Sequence, residues 1–163
     1  MSFRLPSHTN PAPAFVTTDD ALIQPPELAD KATDEQRAEW EKALEEYAAK
    51  LRVARQTGDW SGITLPGKQP VRFILRPMPF EGHATIAGMR QRGEPPESVL
   101  LLAVQLCLVD IEGIAVRVDW EQHERFGKVA ALSTLAKFGT SQGLLIAVEL
   151  GTVAIQRASA DPS

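Results

Sequence analysis

Residues 63–81, ITLPGKQPVRFILRPMPFE, constrain the fold more tightly than any other stretch. Leu65-Pro66-Gly67-Lys68 fits a type II turn, because proline presets φ at the second position and glycine accepts a positive φ at the third. Segments 63–65 and 71–76 are therefore expected to be the two strands of a hairpin. In the second strand Val71, Phe73 and Leu75 share one face, and Arg72, Ile74 and Arg76 share the other. Pro77 has no N–H to donate, so pairing is expected to stop there.

Helical signals surround this hairpin. Residues 33–57 open with Thr33 and Gln36 at capping-box spacing, and Asp34 and Glu35 place negative charge at the positive helix end. Trp40, Leu44, Tyr47 and Leu51 then fall on one helical face, and Gly58 follows as a stop. Glu46 and Lys50 stand at ion-pair spacing on another face. The Trp40, Leu44, Tyr47, Leu51 stripe is the candidate protein-interaction site, as a contact between copies of the chain. A short helix is expected over 80–92, closed by Gly93. An almost wholly apolar helix is expected over 96–109, with Leu102 and Leu106 both buried. A turn at 110–113, a short strand at 114–118, a helix from Trp120 capped by Asp119, a helix over 128–138 and a last helix to about 157 complete the reading. Residues 1–31, with Pro6, Pro11, Pro13, Pro25 and Pro26, read as an extended or disordered arm. Residues 158–163 read as a polar tail.

The expected fold class is thus α+β and predominantly helical: a small antiparallel hairpin packed with four to five helices, plus an extended N-terminal arm. Residues 32–157 form one mainly helical domain in this reading, with the helical core at 80–157.

Charge narrows the partners. Seventeen basic residues against 21 acidic ones leave a net −4. Such a chain does not make the broad basic footprint that nucleic acid or an anionic membrane demands. Arg72, Arg76, Arg90 and Arg92 are the only local basic excess and read as solvated positions. No apolar run reaches the length of a membrane span. The N-terminus lacks the apolar core of a secretory signal, so a cytoplasmic location is expected.

Candidate chemistry is sparse. Cys107 is the only cysteine and lies in the apolar run VLLLAVQLCLV, where a small buried hydrophobe is expected. His8, His83 and His123 have no ligand-spaced neighbours of the HxxxH or CxxC kind. Ser98 and Ser141 stand at expected helix starts rather than in a nucleophile motif. The glycines form no phosphate-cradling loop. No catalytic, cofactor-binding or metal-ligating residue is assigned, and the chain reads as a non-enzyme.

The order of pieces carries a resemblance. A strand of the VRFILRPM type runs straight into a helix. The apolar helix ESVLLLAVQLCLVD follows, then the turn IEGIAV and closing helices, over roughly 63–156. This resembles the tail assembly chaperones of long-tailed bacteriophages. The resemblance implies a helical chaperone of the host cytoplasm that binds and solubilises the tape measure protein. It also implies help in recruiting tail tube protein, and self-association of the chaperone. A structural tail or head-completion protein retained in the particle, and a small cytoplasmic enzyme with an unrecognised site, remain the alternatives.

Overall fold

A computed structural model describes residues 11–17, 19–57 and 59–159. The arm before Pro11, the helix stop at Gly58 and the tail from residue 160 lie outside them. The α+β class holds, with five α-helices and two small antiparallel sheets among the described residues. The elements are β1 (Ala12–Ala14), α1 (Asp34–Thr57), β2 (Arg72–Leu75), α2 (Phe80–Gln91), α3 (Pro96–Cys107), β3 (Leu108–Glu112), β4 (Trp120–His123), β5 (Gly127–Ala130), α4 (Ser133–Ala136) and α5 (Thr140–Ser159). The chain divides into two compact units: the N-terminal stretch together with Val71–Ser163, and Asp19–Pro70. The second unit is inserted between β1 and β2.

In the larger unit β2 is the central strand of a three-stranded antiparallel sheet in the order β1-β2-β3. Phe73 and Leu75 are buried and Arg72 and Ile74 half-buried, so the two-faced pattern of the strand is as expected. Its partners are not. Residues 63–65 do not pair with 71–76. The turn forms, with the Lys68 N–H donating to the Leu65 carbonyl at 3.2 Å and Gly67 at φ 75°. Ser61–Ile63, however, is a single 3₁₀ turn, and Thr64 bridges Leu22. The Ile23 N–H donates to Ile63 O at 2.8 Å, and the Leu65 N–H to Ala21 O at 2.7 Å. The backbone groups of 63–65 are spent on 21–23, and Pro70 has no donor with which to extend the hairpin.

Part of the proline-rich arm is packed. β1 pairs with β2, and Ala14 and Val16 belong to the core. Two side chains of α5 grip it. Glu149 accepts from both the N–H and the hydroxyl of Thr17. Arg157 donates to the carbonyls of Ala12 at 3.1 Å and Pro13 at 2.5 Å.

The core lies where α3 and α5 meet the sheet, and it includes Phe73, Val104, Leu106, Leu108, Ile146 and Leu150. Leu106 is fully buried as expected, whereas Leu102 is half-buried against the core rather than inside it. Helix α5 crosses α3 closely at Gly151. A Cβ there would lie 2.6 Å from the Leu100 carbonyl oxygen, closer than any such contact in a relaxed structure.

The helix expected from Trp120 is instead the β4–β5 hairpin, with Trp120 paired to Ala130 and His123 to Gly127. Asp119 does not cap a helix beginning at Trp120. Its N–H donates to the buried Thr134 hydroxyl at 2.9 Å, and its carboxylate pairs with Lys137 at 3.0 Å. Gly127 takes φ 75° at the end of the turn, a conformation that suits glycine and breaks a helix. The helix expected over 128–138 shrinks to α4 after β5 has used Gly127–Ala130. The expected strand at 114–118 is a bend followed by irregular chain, and the expected turn at 110–113 is the end of β3.

The inserted unit is built on α1. Its capping box is formed: the Gln36 N–H donates to the Thr33 hydroxyl at 3.2 Å, and the Thr33 N–H to the Gln36 side-chain oxygen at 3.0 Å. Ala21, Leu22, Ala54, Trp60 and Ile63 are its buried apolar residues.

Candidate protein-interaction surfaces

Trp40, Leu44, Tyr47 and Leu51 fall on one face of α1, as their spacing requires, and all four are half-buried. Trp40 is tied within its own unit, its indole N–H donating to the Pro26 carbonyl at 3.0 Å. The stripe is therefore an apolar surface covered in part, flanked by exposed charge from Glu41, Lys42, Glu45 and Lys50. Such a rim favours specific docking over collapse.

The larger unit presents apolar side chains that the sequence reading did not single out. Phe80, at the start of α2, is 85% exposed. On α5, Leu144 is 55% exposed and Leu145 50%, with Val148 one turn on at 37%. A signal for them was present. Leu144, Val148, Thr152 and Gln156 recur every four residues, and none is charged.

Both edge strands of the three-stranded sheet carry features that hinder the addition of a further strand. On β1, Pro13 has no N–H, and Arg157 occupies the Ala12 and Pro13 carbonyls. On β3, the Asp110 carboxylate accepts the Ile111 N–H at 2.8 Å. Proline and local side-chain caps at sheet edges disfavour strand addition.

Several of the groups weighed for chemistry make contacts within the fold. Arg72 pairs with Glu112 at 3.1 Å and Arg92 with Glu94 at 2.8 Å, both exposed. Arg76 donates to the Leu106 carbonyl at 2.6 Å. Arg90 is exposed near the end of α2. His123 accepts the Arg125 N–H at 3.0 Å through Nδ1 and so shapes the β4–β5 turn. His83 is exposed on α2, and His8 lies outside the described residues. Ser98 and Ser141 lie inside the first turns of α3 and α5 rather than at caps. The Cys107 thiol is buried, and that burial pushes it up to about 11, against the milder pull of Arg76 and Arg157. A thiolate nucleophile needs the opposite setting.

Among the described residues no group of His, Cys, Asp and Glu is placed to hold a metal ion, and no helix is long and apolar enough to cross a membrane. No family model matches the chain, and no curated protein or solved structure matches it.

Proposed function

We propose that this chain is a tail assembly chaperone of the kind found in long-tailed bacteriophages, acting in the host cytoplasm. It binds the long helical tape measure protein, keeps it in solution and helps recruit tail tube subunits to it. The observation that carries the reading is the location of the apolar surface. Pro13 and the Arg157 contacts hinder strand addition at β1, while α1 offers a partly covered stripe of Trp40, Leu44, Tyr47 and Leu51. An amphipathic helix docks on such a face through anchors at helical spacing, whereas an extended peptide needs an open strand edge. The resemblance of the 63–156 stretch to these chaperones supplies the identity of the partner.

Co-expression with a tape measure protein tests the reading. The expected result is a partner held in the soluble fraction with several copies of this chain along it. Calorimetry should give a negative heat-capacity change and only mild salt dependence, the signature of apolar burial. Leu44→Glu, on the stripe expected from sequence to be a contact between copies and here assigned to the tape measure helix, should weaken the complex without unfolding the chain, because Leu44 is only partly buried. An insoluble partner with no complex overturns the proposal. Recovery of this chain from finished particles makes it a structural component instead.

A further inference from the structure

The β4–β5 hairpin is a sheet of two strands, so each strand has one side with no strand beside it. The two sides are not alike. β5 buries Val129 and Ala130 in the core, whereas Trp120, Glu121 and Gln122 of β4 are all exposed. The ladder fixes which backbone groups point outward. The Ala131 N–H donates to the Asp119 carbonyl at 2.8 Å, so that pair is hydrogen-bonded. Bonded and non-bonded pairs alternate along an antiparallel ladder. Glu121–Val129 and His123–Gly127 are then bonded pairs, and Trp120–Ala130 and Gln122–Lys128 are not. The N–H and C=O groups of Trp120 and Gln122 therefore point away from β5, and no described residue pairs with them. The edges of the other sheet carry a proline and side-chain contacts that hinder a further strand, and β4 has neither device. The strand is also held in place. Glu121, its one carboxylate, accepts from the Gln105 side chain at 2.5 Å, and the Lys128 ammonium lies 4.8 Å from the centroid of the Trp120 ring. An edge that is already ordered loses little freedom on binding.

We propose that the outer edge of β4 takes an extended segment of another protein as a third strand. Backbone chemistry names the kind of occupant. Donors and acceptors at every second residue are matched by the alternating groups of an extended chain. A helix spends its own N–H and C=O groups on itself and leaves those of β4 unmatched. A second copy fits poorly. The antiparallel register that uses both Trp120 and Gln122 pairs each with the other on the copy, and it sets Glu121 directly opposite its own image, where like charges repel. The incoming segment needs its N–H groups where it meets the Trp120 and Gln122 carbonyls, so it carries no proline there. Opposite Trp120 it presents a β-branched or aromatic side chain, the cross-strand neighbour that an aromatic residue favours. This contact is separate from the α1 stripe and does not depend on the chaperone reading.

Amide exchange of the full chain, followed residue by residue in the presence of a synthetic peptide, tests the proposal. The probe is a peptide of alternating Thr and Val flanked by lysines, and its control is the same peptide with every backbone nitrogen methylated. In the free chain the Trp120 and Gln122 amides should exchange fast, while those of Glu121 and Val129, inside the ladder, are protected. At about ten times its Kd the probe should slow the Trp120 and Gln122 amides about tenfold, because exchange then passes through the unbound fraction. The methylated peptide should leave them unchanged. Gln122→Pro removes an outward N–H and no ladder donor, so it should keep the melting temperature and weaken probe binding at least about tenfold. Slow exchange of Trp120 and Gln122 in the free chain would mean that the edge is already covered, and overturns the proposal. So does equal binding of the methylated peptide, binding indifferent to Gln122→Pro in a folded chain, or no protection by the probe at millimolar concentration. If Gln122→Pro fails to fold, the comparison of the two peptides decides alone. Co-expression with a tape measure protein reads the α1 contact, so either proposal can fail without the other.

Discussion

Helix α1 runs for 24 residues and, among its described side chains, fully buries only Ala54. Helix α5 runs for 20 and buries Gly143, Ile146, Ala147, Leu150, Gly151, Val153 and Ala154. Their sequences differ in the same sense. The first is rich in Ala, Glu, Lys and Arg, begins with a formed capping box and ends with Arg55 in its last turn. These features favour helix before any packing. The second carries β-branched residues and three glycines if Gly143, Gly151 and the preceding Gly139 are counted, which favour helix poorly. It is helical because its buried face requires it. The lesson is that two long helices of one chain draw their stability from opposite ends of the folding problem. One is specified locally and leaves apolar surface available, and the other is specified by the core.

Substitutions should separate the two. Leu150→Ala, at a fully buried position, should cost about 2–5 kcal/mol in a denaturant titration of the whole chain. The equivalent truncation in α1, Leu44→Ala, should cost much less, because Leu44 is only partly buried and lies outside the core. Equal losses would erase the distinction. Gly151→Ala gains helix propensity in isolation. It should nonetheless destabilise by about 1–3 kcal/mol, since the added methyl meets the Leu100 backbone rather than a movable side chain.

Alkaline pH probes the same core. Burial raises the Cys107 thiol from 9.0 to about 11, so the folded chain keeps a proton that the unfolded chain releases. That contribution is fully present below pH 9 and is lost as pH rises through about 11, at a slope of at most about 1.4 kcal/mol per pH unit. Cys107→Ala should flatten the stability curve in this window relative to the parent, measured by denaturation at a series of pH values. The smallest effect belongs to α1. Thr33→Ala removes the formed cap and should cost about 1 kcal/mol, read as faster amide exchange in the first turns of α1.

What the sequence made legible follows the same division. Whereas α5 could be read only from its length and the helix start near Ser141, helices α1, α2 and α3 could be read because caps, terminators and a helical period are local. The face alternation of β2 was legible for the same reason. Its neighbours were not: β1 and β3 reach Phe73 from Ala14 and Ile111, pairings that no turn signal announces. Asp119 and Gln122 imitate a helix start, and only the buried Thr134 hydroxyl reveals that Asp119 is engaged by α4. The candidate stripe on α1 was legible from its period. The exposed face of α5 was harder to single out, because most residues of GLLIAVELGTVAIQ are apolar and the four-residue recurrence of Leu144, Val148, Thr152 and Gln156 is one period among several. Which of them face out depends on where Leu100 and Leu135 press against its glycines.

Residue-resolved native-state hydrogen exchange tests the central contrast most directly. The account predicts that amides in the middle of α5, around Leu150, exchange only through global unfolding. Amides of α1 from Trp40 to Leu51 should exchange through a local opening of lower free energy, insensitive to low denaturant. Protection of α1 equal to that of α5, with the same denaturant dependence, would contradict it.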